Sequence, residues 1–378
     1  MARTFLVVSA SPDAQMQRRI AEGRSPRKDY LELNRVTGGE IIYRESVSRR
    51  PLSRIVARLF GVPAGQAMLA FLCRRDYDAI FTDAENIGLP LALLFKLGRV
   101  RRHHVMIGHL LSTRIKGYFF RYLKVQSHID AIICHASRQH WILEHRLNVP
   151  PDRLALMPYQ IDERFWRPLE ETQRRQICSA GLEFRDYRSL IEAVRGLDID
   201  VVIAAASHWS KRRNDVQGVT LPKNVQTTSL NYEDLRTLYA HSLFVVVPVE
   251  DVEFQAGITV ILEAMGMARA VVVTRTRGQT DVVRDANGWS SPTEPDALSA
   301  FPDVTVALEG VDPGQNGVYV PPGDASALRM AIAHLAAHPK EAARMGANGR
   351  LLVERTMTLD QYVARIVALL DQTRPQSS

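Results

Sequence analysis

The stretch Glu253–Thr274, EFQAGITVILEAMGMARAVVVT, constrains the fold more than any other part of this chain. It follows the apolar run Val245 to Glu250 (VVVPVE), whose length and β-branched content predict a buried strand. A loop carrying Gly257 comes next, and the residues after it predict a short helix from about Ile258. Ala270–Val273 then reads as another buried strand. A strand, a glycine loop and a helix N-terminus in that order form an anion site, because free backbone N–H groups converge there. Gln255 stands before the helix and Glu263 eight residues later inside it. A carboxylate at the second position can accept hydrogen bonds from neighbouring hydroxyls.

With 378 residues the chain is long for one domain and fits two of roughly 150–200 residues. A hydrophobic fraction of 46% and a charged fraction of 24% are those of a globular protein rather than a disordered one. No apolar run approaches the roughly 20 residues of a transmembrane helix. The N-terminal MARTFLVVSASPD is too short in its apolar part for a secretory signal and predicts a first strand. Cys73, Cys134 and Cys178 lie far apart without C-x-x-C spacing. That argues against zinc or a disulfide framework and fits buried thiols in a reducing cytoplasm. Charge is uneven: residues 1–170 carry 27 Lys+Arg against 16 Asp+Glu, and the remainder 21 against 25. The basic first half is suited to an anionic partner, such as a membrane surface, a lipid-linked phosphate or nucleic acid.

In the first half, Thr4–Ala10 and Tyr77–Thr82 read as parallel strands. Asp83 and Glu85 lie at the carboxyl end of the second, where open parallel sheets bind ligands. Both are candidate acceptor-side groups, with an N-cap role for Asp83 as the plain alternative. His104–Gly108 is a further strand with His109 at its tip. Pro51–Arg75 has helical spacing interrupted at Gly61-Val62-Pro63. Ile55, Leu59 and Phe60 fall on one side and Arg50, Arg54 and Arg58 near the other. It is either an interfacial helix or one covering the sheet. Ser112–Lys124 interleaves basic and aromatic residues, which suits headgroups or a partly buried helix. Asn224–Leu230 reads as a loop, and Arg284–Gln315 as an insertion or long loop. The triplets Asp76-x-Asp78 and Asp198-x-Asp200 precede strands and so sit at their amino ends, away from a ligand edge. No metal site is expected.

The Glu253–Thr274 stretch resembles E-G-F-G-x-x-x-x-E-A-M-A-x-G-x-P-V-V of the retaining GT-B glycosyltransferases of family 4, or group 1. Glu263-Ala264-Met265 matches the second acid, Ala270-Val271-Val272 replaces P-V-V, and Gln255 stands where the first Glu would be. Further resemblances lie at Leu154–Pro168, at Thr274–Val283 and at Asn316–Asp324, NGVYVPPGD. The match is loose before residue 77.

The resemblance implies two Rossmann-like parallel-sheet domains facing across a cleft, with a C-terminal helix crossing back to the first. Residues 1–168 would be the acceptor side, 169–355 the nucleotide-sugar domain, and 356–378 the returning helix with a polar tail. It implies metal-independent, retaining transfer of a sugar from a nucleoside diphosphate donor to a glycan or lipid-linked acceptor. No cofactor beyond that co-substrate is expected. Arg185 and Arg188 would stand in for the family's diphosphate cations, joined by the backbone of Gly257, Ile258 and Thr259. Glu263 would hold the ribose, and His109 and Gln255 would face the transferred sugar. The expected location is the cytoplasm, with peripheral contact to the inner face of a membrane as an option and nucleic acid disfavoured. A catalytically silent binding protein and a nucleotide-sugar epimerase of the same fold remain alternatives.

Overall fold

A computed structural model describes residues 3–170, 174–205, 220–285 and 314–372. They form two compact α/β units. The first contains residues 1–18, 27–157 and 360–378, and the second residues 19–26 and 158–359. The division therefore falls between Met157 and Pro158 rather than at 168, and the return to the first unit begins at Asp360 rather than 356. The early segment Arg19–Pro26 belongs with the second unit, where Arg24 Nε donates to Glu233 at 2.9 Å.

The first unit is built on β1 (Thr4–Val7), β2 (Glu40–Ile42), β3 (Ala79–Thr82), β4 (His103–Ile107), β5 (Ala131–Cys134) and β6 (Leu154–Leu156). All pair in parallel, in the order β2-β1-β3-β4-β5-β6. The second unit is built on β7 (Gln176–Ala180), β8 (Asp200–Ala204), β9 (Val225–Thr228), β10 (Phe244–Val247), β11 (Ala270–Thr274) and β12 (Gly317–Val320). Its order is β12-β11-β10-β7-β8-β9, again parallel. The central strands are short, apolar and buried along their whole length, as expected where helices cover both faces. Strand order reverses between β1 and β3 in one sheet and between β7 and β10 in the other. Outside the carboxyl ends at such switch points the chain diverges and leaves room for a ligand.

Several local expectations change. Ala14–Ala21 is a helix that buries no side chain. Val225–Thr228, read as loop, is the exposed edge strand β9. Pro51–Arg75 resolves into helices Pro51–Phe60 and Val62–Cys73, broken at Gly61 with φ 90°. The first does not cover the sheet with its apolar side: Ile55, Leu59 and Phe60 are 51%, 70% and 75% exposed. Asp78 and Asp200 lie at the amino ends of β3 and β8. Most of the proposed insertion, residues 286–313, and the tail 373–378 lie outside the described residues.

The Asp162–Pro168 segment is an anchor within the second unit. Trp166 is fully buried, and Arg350 Nη1 donates to the carbonyls of Glu163, Trp166 and Gly266 at 3.1, 2.7 and 2.8 Å. One guanidinium thereby ties this segment to the helices Ile258–Gly266 and Pro339–Thr356.

Candidate active site

In the second unit, the loop after β7 is pinned to the chain leaving β10, at the switch point. Arg185 bridges Val249, and Asp186 N donates to the Pro248 carbonyl at 3.1 Å. Arg185 Nε donates to the Ala180 carbonyl at 3.0 Å and Nη1 to the Glu183 carbonyl at 2.9 Å. Nη2 has no acceptor among the described residues. The side chain is 6% exposed, and no carboxylate among the described residues reaches it as an ion pair. Burial lowers its pKa from the ordinary guanidinium value, while Tyr187, Tyr239 and Glu263 oppose that shift. A guanidinium resists deprotonation even so, which leaves a buried cation with no ion-pair partner among the described residues.

Two glycines lie against it, and the first makes room for it. Gly181 has φ 94°, and a Cβ there would lie 2.5 Å from Arg185 Nη2. Gly257 has φ 82°, and a Cβ would lie 2.7 Å from Val247 Cγ1 and 3.5 Å from Arg185 Nη1. Gly257 is the N-cap of the helix Ile258–Gly266, which starts beside the guanidinium, with Ile258 N donating to the Gln255 carbonyl at 3.4 Å. Ile258 is half-buried and Thr259 lies beside it at that helix start. Glu263 is buried in the same helix, where its Oε2 accepts from the Tyr239 hydroxyl at 2.9 Å.

Gln255 is buried just before this helix. Its Nε2 donates to Asp281 Oδ2 at 3.2 Å, while its Oε1 is buried without a partner among the described residues. The carboxylate fixes which way the amide points, because only Nε2 can donate to it. Gln279 repeats the arrangement: Nε2 donates to the Ala256 carbonyl at 3.1 Å and Oε1 is buried without a partner among the described residues. Two unsatisfied side-chain oxygens thus flank the Gly257 loop, a costly state unless hydroxyl donors meet them. A Glu at 255 would set two carboxylates against each other, so Asp281 gives a physical reason for the amide.

In the first unit, Asp83 follows β3 at the switch point. Its Oδ2 accepts from Ser9 N at 2.7 Å and Ser9 Oγ at 2.9 Å, while Oδ1 is buried without a partner among the described residues. Burial pushes its carboxyl up from 3.8 to about 6, against the pull of the Ser9 hydrogen bonds. Glu85 is occupied: its carboxylate accepts from Lys116 Nζ at 2.6 Å and from His109 N at 3.1 Å. Burial alone would raise the Glu85 carboxyl, but Lys116 outweighs it and the net shift is downward from 4.5. His109 Nε2 donates to the Asp83 carbonyl at 3.1 Å, which leaves the Nδ1 lone pair available in the neutral ring. His135 packs 5.8 Å from His109, donates from Nδ1 to the Met157 carbonyl and faces the Tyr362 hydroxyl at 3.2 Å. Burial drops its pKa to about 3, so His135 is a neutral support.

Residues 184–302 match the family model of group 1 glycosyl transferases. No curated protein matches the chain. Among solved structures it is similar to sucrose-phosphate synthase from Thermosynechococcus elongatus, at 15% identity and TM-score 0.65 over 98% of both chains. It is also similar to Anabaena HepE in complex with UDP-glucose, at 12% identity and TM-score 0.62, covering 97% of this chain and 100% of that one. A Rickettsia africae glycosyltransferase shows 13% identity and TM-score 0.63 over 98% and 99%. The chain has the GT-B fold of these structures, and part of its second unit is similar to group 1 glycosyl transferases.

Within this GT-B chain, Arg185, Gly257, Ile258, Thr259, Glu263 and Gln255 gather at the carboxyl edge of the second sheet. Arg188 does not join them: it is exposed on the helix Tyr187–Val194, and no hydrogen bond links it to Arg185 among the described residues. Asp83, Glu85 and His109 gather at the carboxyl edge of the first sheet. Sequence reasoning missed Gln279, Tyr239 as the partner of Glu263, Lys116 as the partner of Glu85, and the His135–Tyr362 support. Asp281 lies in the quoted motif Thr274–Val283, but its contact with Gln255 depends on the tertiary fold.

Proposed function

We propose that this glycosyltransferase moves a hexose from a nucleoside diphosphate donor, without a metal and with retention of configuration. The observation that carries the reading is the buried, unpaired Arg185 beside the Gly257 helix N-terminus at the switch point of the second sheet. A diphosphate supplies the missing negative charge, and the guanidinium can grip its oxygens through parallel N–H bonds. Glu263, its carboxylate held by Tyr239, is the proposed ribose acceptor. The open oxygens of Gln255 and Gln279 would accept sugar hydroxyls. As the bond from the anomeric carbon to the diphosphate breaks, its electron pair leaves on the diphosphate. Arg185 and the helix amides would stabilise that charge. The acceptor oxygen would take its place on carbon and pass its proton to the departing diphosphate.

For the acceptor we propose a lipid-linked molecule reached by peripheral contact with an anionic membrane. The helix Pro51–Phe60 exposes Leu52, Ile55, Leu59 and Phe60, and the cations Arg50, Arg54 and Arg58 lie on or beside it. Apolar residues flanked by cations are the make-up of an interfacial helix. No helix among the described residues is long and apolar enough to cross a membrane.

The test is a panel of nucleotide-sugars followed by proton NMR, with UDP-glucose first because the Anabaena relative binds it. Release of nucleoside diphosphate with an anomeric coupling unchanged from the donor is expected. Turnover of no donor would overturn the proposal, and an inverted product would overturn retention.

A further inference from the structure

The corner between the helices Ala325–Ala337 and Pro339–Thr356 carries three ligand-type side chains that the donor reading does not use. His334 and His338 are four residues apart, and Glu341 lies in the first turn of the second helix. One ligand atom from each lies within 4.8 Å of the other two. The two imidazoles stack with centroids 4.4 Å apart, and His334 Nε2 lies 3.0 Å from Glu341 Oε2. His338 Nδ1 lies 2.8 Å from the His334 carbonyl. A carbonyl only accepts, so Nδ1 carries the proton and the Nε2 lone pair is free. Metal-binding histidines are commonly held this way, with the second ring nitrogen donating to a backbone oxygen.

We propose that His334, His338 and Glu341 form a surface zinc site. Two imidazole nitrogens and one carboxylate oxygen are a zinc donor set, with the fourth tetrahedral position left to water. Magnesium and calcium, which require oxygen ligands, would not be held. Zinc–ligand bonds of about 2.0–2.2 Å need the three atoms somewhat closer than they stand, and the exposed imidazoles can rotate to close that gap. The ion would join the end of one helix to the start of the next. Both helices pack on the second sheet through Leu328, Ile332, Leu335, Ala342 and Met345, so the clamp would act on that unit's stability. The site lies outside the donor machinery and stands or falls independently of it.

The experiment is calorimetric titration of zinc chloride into untagged, chelator-stripped full-length protein, with melting followed in parallel. Saturable binding of one ion per chain is expected. Melting should rise by roughly 5–10 °C at a hundredfold excess over Kd, and chelator should reverse the rise. Magnesium chloride should do neither. The double variant His334→Ala/His338→Ala should lose saturable binding, and Glu341→Gln should weaken it about tenfold. Because the histidines are exposed, the variants should melt with the parent in chelator, and UDP binding should be unchanged. No saturable zinc binding, or equal binding by the double variant, would overturn the site.

Discussion

The carboxyl edges of the two sheets present opposite electrostatic problems. Among the described residues of the second unit, the buried cation Arg185 has no ion-pair partner, and two amide oxygens have no donor. In the first unit one carboxylate, Glu85, is fully paired, while its neighbour Asp83 keeps one buried oxygen open and a raised pKa. An edge short of negative charge suits a diphosphate. An edge holding a partly protonated carboxylate beside a histidine lone pair suits a hydroxyl.

The largest effect that would break this contrast is expected at Arg185. Arg185→Met should lower kcat/KM for the donor by about 10²–10³-fold, the usual loss when a group stabilising leaving charge is removed. A loss below tenfold, measured on protein with unchanged circular dichroism, would remove Arg185 from the donor side.

Next come the two carboxylates, whose stability effects should run in opposite directions with pH. The folded pKa of Asp83 is raised, so its contribution is complete below about 4 and is lost as pH rises through about 6. Asp83→Asn should therefore stabilise the protein above pH 7, by about 1–3 kcal/mol after allowance for its partly exposed edge, and make little difference at pH 4. The folded pKa of Glu85 is lowered, so its contribution is present above about 4.5 and is lost on acidification. Glu85→Gln should destabilise at pH 7, with the difference shrinking in acid. Urea titrations across this range check both signs, and parallel profiles would refute the contrast.

A smaller effect separates membrane contact from folding. Leu59→Ser with Phe60→Ser should alter stability by no more than about 0.5 kcal/mol, since both side chains are exposed. Flotation with vesicles containing phosphatidylglycerol should nevertheless fall severalfold, and parent binding should weaken as salt rises. Parent protein that ignores such vesicles at low salt would end the membrane proposal. The smallest effect is expected at Arg188, where Arg188→Ala should change donor KM by less than about threefold, as for an exposed surface charge.

The contrast also explains what could be read in the sequence. In the second unit the site is nearly contiguous. Gln255, Gly257, Ile258, Thr259 and Glu263 share one loop and helix, so spacing and strand order displayed them together. In the first unit the decisive contacts join distant positions: Ser9 to Asp83, Lys116 to Glu85 and Tyr362 to His135. No local pattern announces such pairs, and Lys116 read only as one cation in a basic, aromatic helix. Strand β9 and the helix Ala14–Ala21 were missed because they bury little, so hydrophobic periodicity gave no signal. Arg188 was chosen because it lies near a glycine loop, but helix phase turns it outward.

The central claim is that the second unit alone supplies the charge that holds the donor diphosphate. Calorimetric titration of UDP into the parent, Arg185→Met and Asp83→Asn tests it most directly. One saturable site is predicted in the parent, with an unchanged affinity in Asp83→Asn and loss of the binding heat in Arg185→Met. Equal affinity in parent and Arg185→Met, or equal loss in both variants, would contradict it.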